Sequence, residues 1–99
     1  MSAERRMWVG AARVVLRVAG ADSLKAKRRV IQSILDRARA RARVAAAEID
    51  HLEDHRQAGL GFACVANDGT HVRRLLQAVI QEIERNPAVE VIEASVEVY

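Results

Sequence analysis

The stretch from Ser23 to Arg43, SLKAKRRVIQSILDRARARAR, reads as one long helix and carries most of the positive charge of the chain. Ser23 is placed to cap it, because a serine hydroxyl accepts a bond from an otherwise unpaired first-turn N–H. Asp22 favours the positive end of the helix dipole. At about 100° per residue, Leu24, Ile31, Ile34, Leu35, Ala38 and Ala42 gather into one apolar stripe. No Gly or Pro interrupts the run, and Ala, Arg, Leu and Lys are good helix formers. Lys25, Arg28, Arg29, Arg39 and Arg43 fall on one flank, with Gln32 and Asp36 among them. Lys27, Arg37 and Arg41 take the other flank. Eight bases against one acid make +7 within this run, leaving eight bases and twelve acids, or −4, for the rest of the chain. The modest total of +3 therefore hides a polarised molecule. Two interpretations compete: a solvated face whose arginines pair with acids such as Glu82 and Glu84, and an anion-binding face.

On the N-terminal side, Met7 to Val18 reads as a strand. Trp8, Gly10, Ala12, Val14, Leu16 and Val18 share one face, and Val9, Ala11, Arg13, Val15 and Arg17 the other. Ala19 to Asp22, with Gly20, forms the turn into the helix. Beyond the helix, Val44 to Asp50 reads as a weak second strand, and His51 to Arg56 as a hairpin connection. Gln57 to Ala66 is a third strand, with Leu60, Phe62, Cys64 and Ala66 inward. Asp68 caps a second helix, Thr70 to Arg85, whose stripe is Val72, Leu75, Leu76, Val79, Ile80 and Ile83. Asn86-Pro87 ends it, since the residue before proline disfavours helical angles. Val89 to Tyr99 is the last strand, with Ile92, Ala94, Val96 and Val98 inward and Glu93, Ser95 and Glu97 outward. The order βαββαβ predicts an α+β ferredoxin-like sandwich. Its antiparallel sheet has the order 4-1-3-2, with both helices on one face. Arg13 and Arg17 are then expected opposite Glu93 and Glu97.

Ninety-nine residues, 51% of them hydrophobic, suffice for one domain over 7–99. Met1 to Arg6 is expected to be a flexible N-terminal extension, without the apolar segment of a signal peptide. Trp8, Phe62 and Tyr99 are the whole aromatic complement, so aliphatic residues build the core. One cysteine, Cys64, forms no internal disulfide, which fits a reducing cytoplasm. No apolar stretch approaches the length that crosses a bilayer. The expectation is a cytoplasmic protein with no membrane association.

Chemistry-bearing clusters are sparse. His51 and His55 stand four apart, but a hairpin does not hold them on one face and no second cluster completes a metal site. No serine or cysteine partners the histidines, so no catalytic residue, metal or cofactor is expected. An acylphosphatase-like use of this fold needs a phosphate-binding arginine at the end of its glycine-rich loop, where this chain has Asp22. A weaker possibility is anion binding by Ser23 and Lys25 at the helix N-terminus. RNA readout by stacking needs aromatics on the central strands, and the outward residues there are Arg13, Val15, Arg17, Gly59, Gly61 and Ala63. The nearly bare strip of Val15, Gly59, Gly61 and Ala63 suits close approach by another chain.

Val9-Gly10, Ser23-Leu24-Lys25 with Lys27-Arg28-Arg29, Ala47-Glu48-Ile49-Asp50, Ala58-Gly59-Leu60-Gly61 and Val65-Ala66-Asn67-Asp68 together resemble the YlxP-like family of small bacterial proteins. The resemblance covers nearly the whole chain from Met7. It implies a ferredoxin-like fold and no established activity, with genes often lying among those for translation initiation and ribosome maturation. Members often carry an aromatic where this chain has Arg56, and serine where it has Ala66.

The leading expectation is a non-enzymatic accessory protein that binds structured RNA or a ribosomal particle through phosphates. Lys25, Lys27, Arg28, Arg29, Arg39 and Arg43 would make the contacts. The alternative is a homo-oligomeric interaction module that uses the open sheet face and has no nucleic-acid role. What separates them is whether acids elsewhere in the chain neutralise the basic flank.

Overall fold

Strand β1 (Trp8–Val18) is the spine of the sheet, pairing antiparallel with β3 (Gln57–Ala66) on one side and β4 (Val89–Val98) on the other. A computed structural model describes residues 7–99; the extension expected over 1–6 lies outside the described residues. Short β2 (Ala45–Asp50) pairs with β3, giving the order β2-β3-β1-β4, the predicted order read from the other edge. The even-numbered side of β1 is apolar, and Ala12, Val14, Leu16 and Val18 are all buried there under the helices. Arg13 and Arg17, which a period of two sends to the opposite face, are exposed.

Helix α1 (Leu24–Arg37) starts as expected, with Ser23 Oγ accepting from the Ala26 N–H at 3.1 Å. It buries Ile31, Ile34 and Leu35. The predicted helix through Arg43 does not stay α-helical: Ala38–Ala42 is one π-helical turn. Arg43, at φ 56, ends it in the left-handed conformation that glycine usually supplies. That reversal lets Val44 enter the core and β2 begin at Ala45. Arg39 ties the widened turn to its surroundings, donating to Asp36 Oδ1 at 3.2 Å and to the Ala46 carbonyl at 2.6 Å.

Helix α2 (Gly69–Glu84) is capped by Asp68, which accepts from the Thr70 N–H at 2.9 Å. Its stripe of Val72, Leu76, Val79 and Ile83 is buried. It comes so close to β1 at Gly10 that a Cβ there would stand 2.2 Å from Val72 Cγ1 and 2.7 Å from Leu76 Cδ1. Trp8 lies against Gly69 at the start of the same helix. One cluster of buried side chains joins both helices to the sheet.

Two expectations about β4 are corrected by its register with β1 and by a bulge in it. The register with β1 shifts between Val15 and Leu16, and Ile92 is the extra residue, so it turns outward and is 45% exposed. Val89 and Val91, before the bulge, take the inward positions beside Val18 and Leu16. The cross-strand charges differ as well, because the ladder runs two residues off the expected register at Arg13 and the bulge adds a third at Arg17. Arg17 stands opposite Glu90 and pairs with it at 2.9 Å, while Arg13 faces Ser95, with Glu93 and Glu97 only diagonal to it.

Candidate functional site

The expected nucleic-acid residues separate into three groups by environment. Lys25, Arg28, Arg29 and Arg43 are exposed and make no ion pair with a carboxylate among the described residues. Arg39 is exposed but already engaged by Asp36 and the Ala46 carbonyl. Lys27 is a correction: it is 0% exposed, so no external phosphate reaches it. On the helical wheel Ile34 and Ala38, seven and eleven residues further on, stack over Lys27, which places it inside the apolar stripe rather than on a flank.

Lys27 anchors the hairpin. Its Nζ donates to the carbonyls of His51 at 2.7 Å, Asp54 at 2.5 Å and Gln57 at 2.8 Å. These three bonds use every donor of the ammonium group. Glu48 Oε2, 2.9 Å away with a side chain 15% exposed, therefore balances the charge without receiving a hydrogen bond from it. Glu48 is turned towards the helices because it pairs with Leu60, an inward position of β3. The hairpin backbone is shaped to converge on the ammonium: His51 sits at φ 58, with its N–H held by Asp50 Oδ1 at 2.9 Å. Asp54 Oδ1 accepts from the Arg56 N–H at 2.8 Å, and this bond holds its carboxyl below the usual carboxylate range. His51 and His55 thus belong to a structural loop. Among the described residues no three His, Cys, Asp or Glu side chains gather as a metal group.

Elsewhere the acids do little to neutralise α1. Glu82 takes Arg41, at 3.1 Å on the flank facing α2, and Asp36 takes Arg39. Both pairs are largely exposed, where such contacts contribute only about 0–1 kcal/mol. Arg37 remains without a carboxylate among the described residues. Helix α2 adds Arg73, Arg74 and Arg85, exposed and likewise unpaired among the described residues, to the same helical layer. A reading of α2 by its apolar stripe and its acids misses these arginines, whose spacing away from the stripe is the signal that marks them. At the start of α1, Ser23 is used as the cap, which leaves Lys25 and the first-turn amides of Leu24 and Lys25 facing outward beside Asp22.

The open sheet face also differs from the expected bare strip. Gly59 is buried, because the Asp50 Cβ lies where a Cβ on Gly59 would come within 2.7 Å of it. Gly61 is overlaid by Ile49, whose methyl carbons would stand 3.2 Å from a Cβ. Gly59 is therefore withdrawn as a self-association residue, and Gly61 is screened by its own edge strand. The apolar surface on this side comes from Val15 and Ala63 together with Ile49, Val65 and Tyr99, which are 45%, 63% and 56% exposed. Cys64, on the inward side of β3, is half-buried, and desolvation pushes its thiol up.

No described helix is long and apolar enough to cross a membrane. A model of the family described as "Protein of unknown function (DUF503)" matches residues 9–96, and the chain belongs to that family. No curated protein matches it. Among solved structures it is similar to the de novo designed protein Foldit4, at 16% identity and a TM-score of 0.52 over 94% of this chain and 96% of that one. At that identity the similarity concerns the fold alone.

Proposed function

We propose that this protein is a non-enzymatic accessory factor that binds structured RNA, as presented by a ribosomal particle, through phosphates laid along the exposed face of α1. The observation that carries this reading is a row of cations with no carboxylate partner among the described residues on the outer flank of α1 and its π-helical end, away from α2: Lys25, Arg28, Arg29 and Arg43. Eight bases in one segment with one acid cost self-repulsion unless a polyanion offsets it. Arg73 and Arg74 on α2 widen the cationic layer. With no aromatic platform on the central strands, contacts go to the backbone and shape of the RNA, with little base preference. The resemblance to YlxP-like proteins, whose genes accompany translation genes, agrees with this assignment and with a cytoplasmic location.

The test is a salt titration of binding to a structured RNA hairpin. If about four phosphates are contacted, log K falls with log salt at a slope of about −3. Arg28→Glu with Arg29→Glu, two positions with no ion pair among the described residues, weakens binding strongly and leaves the melting temperature unchanged. Binding that is flat in salt, or indifferent to this double reversal, overturns the assignment.

A second reading rests on Ile49, Val65 and Tyr99, exposed together on the open sheet face. A second copy of the chain pairing there forms a homodimer. Sedimentation velocity of the wild type and Val65→Glu decides it: a micromolar dimer lost in the variant supports it, and a monomer at high concentration removes it.

A further inference from the structure

The helical layer is not closed between its two helices. A groove of about 210 Å³ separates α1 and its π-helical turn from α2, floored by Ile34, Ala38, Val79 and Ile83 and bordered by Ala42 and Ala78. Arg37, Arg41 and Glu82 form its rim. Towards the C-terminal end of α2 it continues into a shallower recess that shares Arg37 and Glu82 and adds Arg85. Arg41 is bound to Glu82 at 3.1 Å. Arg37 and Arg85 have no carboxylate among the described residues. The groove thus joins an apolar trench to a cationic rim.

We infer that this groove receives an acidic amphipathic helix from a protein partner. Size and charge both argue for that occupant. Pockets that enclose small molecules usually measure about 300–1,000 Å³, so this volume is too small for one and suits one or two inserted side chains. The trench between Ile34 and Ala42 spans eight residues of helix rise, about 12 Å, or two turns. Two apolar side chains at i and i+7 of a partner helix, about 10.5 Å apart, match that length. Acids flanking them meet Arg37 and Arg85, which supplies orientation and excludes basic partners. The trench lies on the flank of α1 opposite Arg28 and Arg39; Arg29, which lines the shallower recess, borders both surfaces.

A display library of helical peptides, randomised at its apolar and charged positions, is selected on the whole protein. The selected peptides carry large apolar residues at i and i+7 with net negative charge. Their binding perturbs the amide resonances of Ala38, Ala42, Ala78 and Val79. Ala78→Arg, an exposed helix position that fills the trench, weakens them at least 30-fold, and Arg37→Glu about 10-fold, the size of one charge contact of roughly 1.4 kcal/mol. Ala78→Arg leaves RNA-hairpin binding intact, which separates failure of this inference from failure of the RNA assignment. Selection that yields no acidic amphipathic sequences, binders indifferent to Ala78→Arg, or an RNA hairpin that perturbs Ala78 and Val79 and displaces the peptides each overturns the inference.

Discussion

Replacing Lys27 with Met is expected to be among the most damaging single substitutions of a charged residue in this protein. Met nearly preserves the length and volume of the side chain, and a volume-conserving exchange alone usually costs under about 1.5 kcal/mol. The structure predicts more. The substitution removes three charge-assisted hydrogen bonds, to the carbonyls of His51, Asp54 and Gln57, and leaves the Glu48 carboxylate largely buried without its counter-charge. Breaking a buried ion pair by deleting one partner costs about 3–5 kcal/mol. The three carbonyls belong to a surface hairpin and regain water, so their loss is not added in full. An expected deficit of about 3–5 kcal/mol is a large part of the roughly 5–15 kcal/mol that holds a domain of this size together. Urea unfolding at pH 7 of the wild type, Lys27→Met and Lys25→Met measures it, with the exposed Lys25 variant expected within about 0.5 kcal/mol of wild type. Adding Glu48→Leu to Lys27→Met removes the stranded carboxylate and recovers most of the deficit. A loss under about 1 kcal/mol for Lys27→Met, or no recovery in the double variant, refutes this account of the hairpin.

Gly10→Ala forces a methyl into Val72 and Leu76; overpacking of this kind costs about 1–3 kcal/mol, read as a fall of several degrees in Tm. Arg43→Gly relieves a left-handed residue worth about 1 kcal/mol against a similar loss from glycine's freedom in the unfolded chain; stability stays within about 1 kcal/mol of wild type while the salt slope of RNA binding becomes shallower. Asp54 has its carboxyl held low in the folded state by the Arg56 N–H. Its stabilising share is therefore present above the ordinary carboxylate range and lost as pH falls through the lowered value. Asp54→Asn weakens the hairpin at neutral pH and flattens that acid limb, as followed by denaturation between pH 2 and 7.

The fold was legible in the sequence because period-two strands, two capped helices and their turn residues all agreed. Ser23 and Asp68 cap as expected, and the strand order follows from the βαββαβ succession. The misses have local causes. The β4 bulge at Ile92 has no sequence mark, since Val91 and Ile92 are equally apolar; together with a ladder two residues off the expected register it brings Arg17 to Glu90 rather than Glu93. The π turn and the left-handed Arg43 follow from docking Ala38 and Val44 into the core, a tertiary demand that helix propensity does not register. Charge alone places Lys27 on a flank, whereas its angular position puts it inside the apolar stripe. The bare glycines of β3 were correctly located, but their use was misjudged: Asp50 and Ile49 of the neighbouring strand fill the space they leave.

The basic segment divides by task in the same way. In Ser23-Leu24-Lys25-Ala26-Lys27-Arg28-Arg29, Ser23 caps the helix and Lys27 fastens it to the hairpin. Glu48 and Asp50 are equally committed, one balancing Lys27 and the other covering Gly59. Each of these has an intramolecular task. Lys25, Arg28 and Arg29 have none among the described residues, and a solvated helix face is served as well by Gln or Ser, without the mutual repulsion of cations one turn apart. Repulsion of that kind is removed when counterions or phosphates lie along the helix, and an RNA backbone does so while releasing its own condensed ions. Once the structural cations Lys27, Arg39 and Arg41 and the groove's Arg37 are set aside, Lys25, Arg28, Arg29 and Arg43 are where a polyanion changes the free energy most.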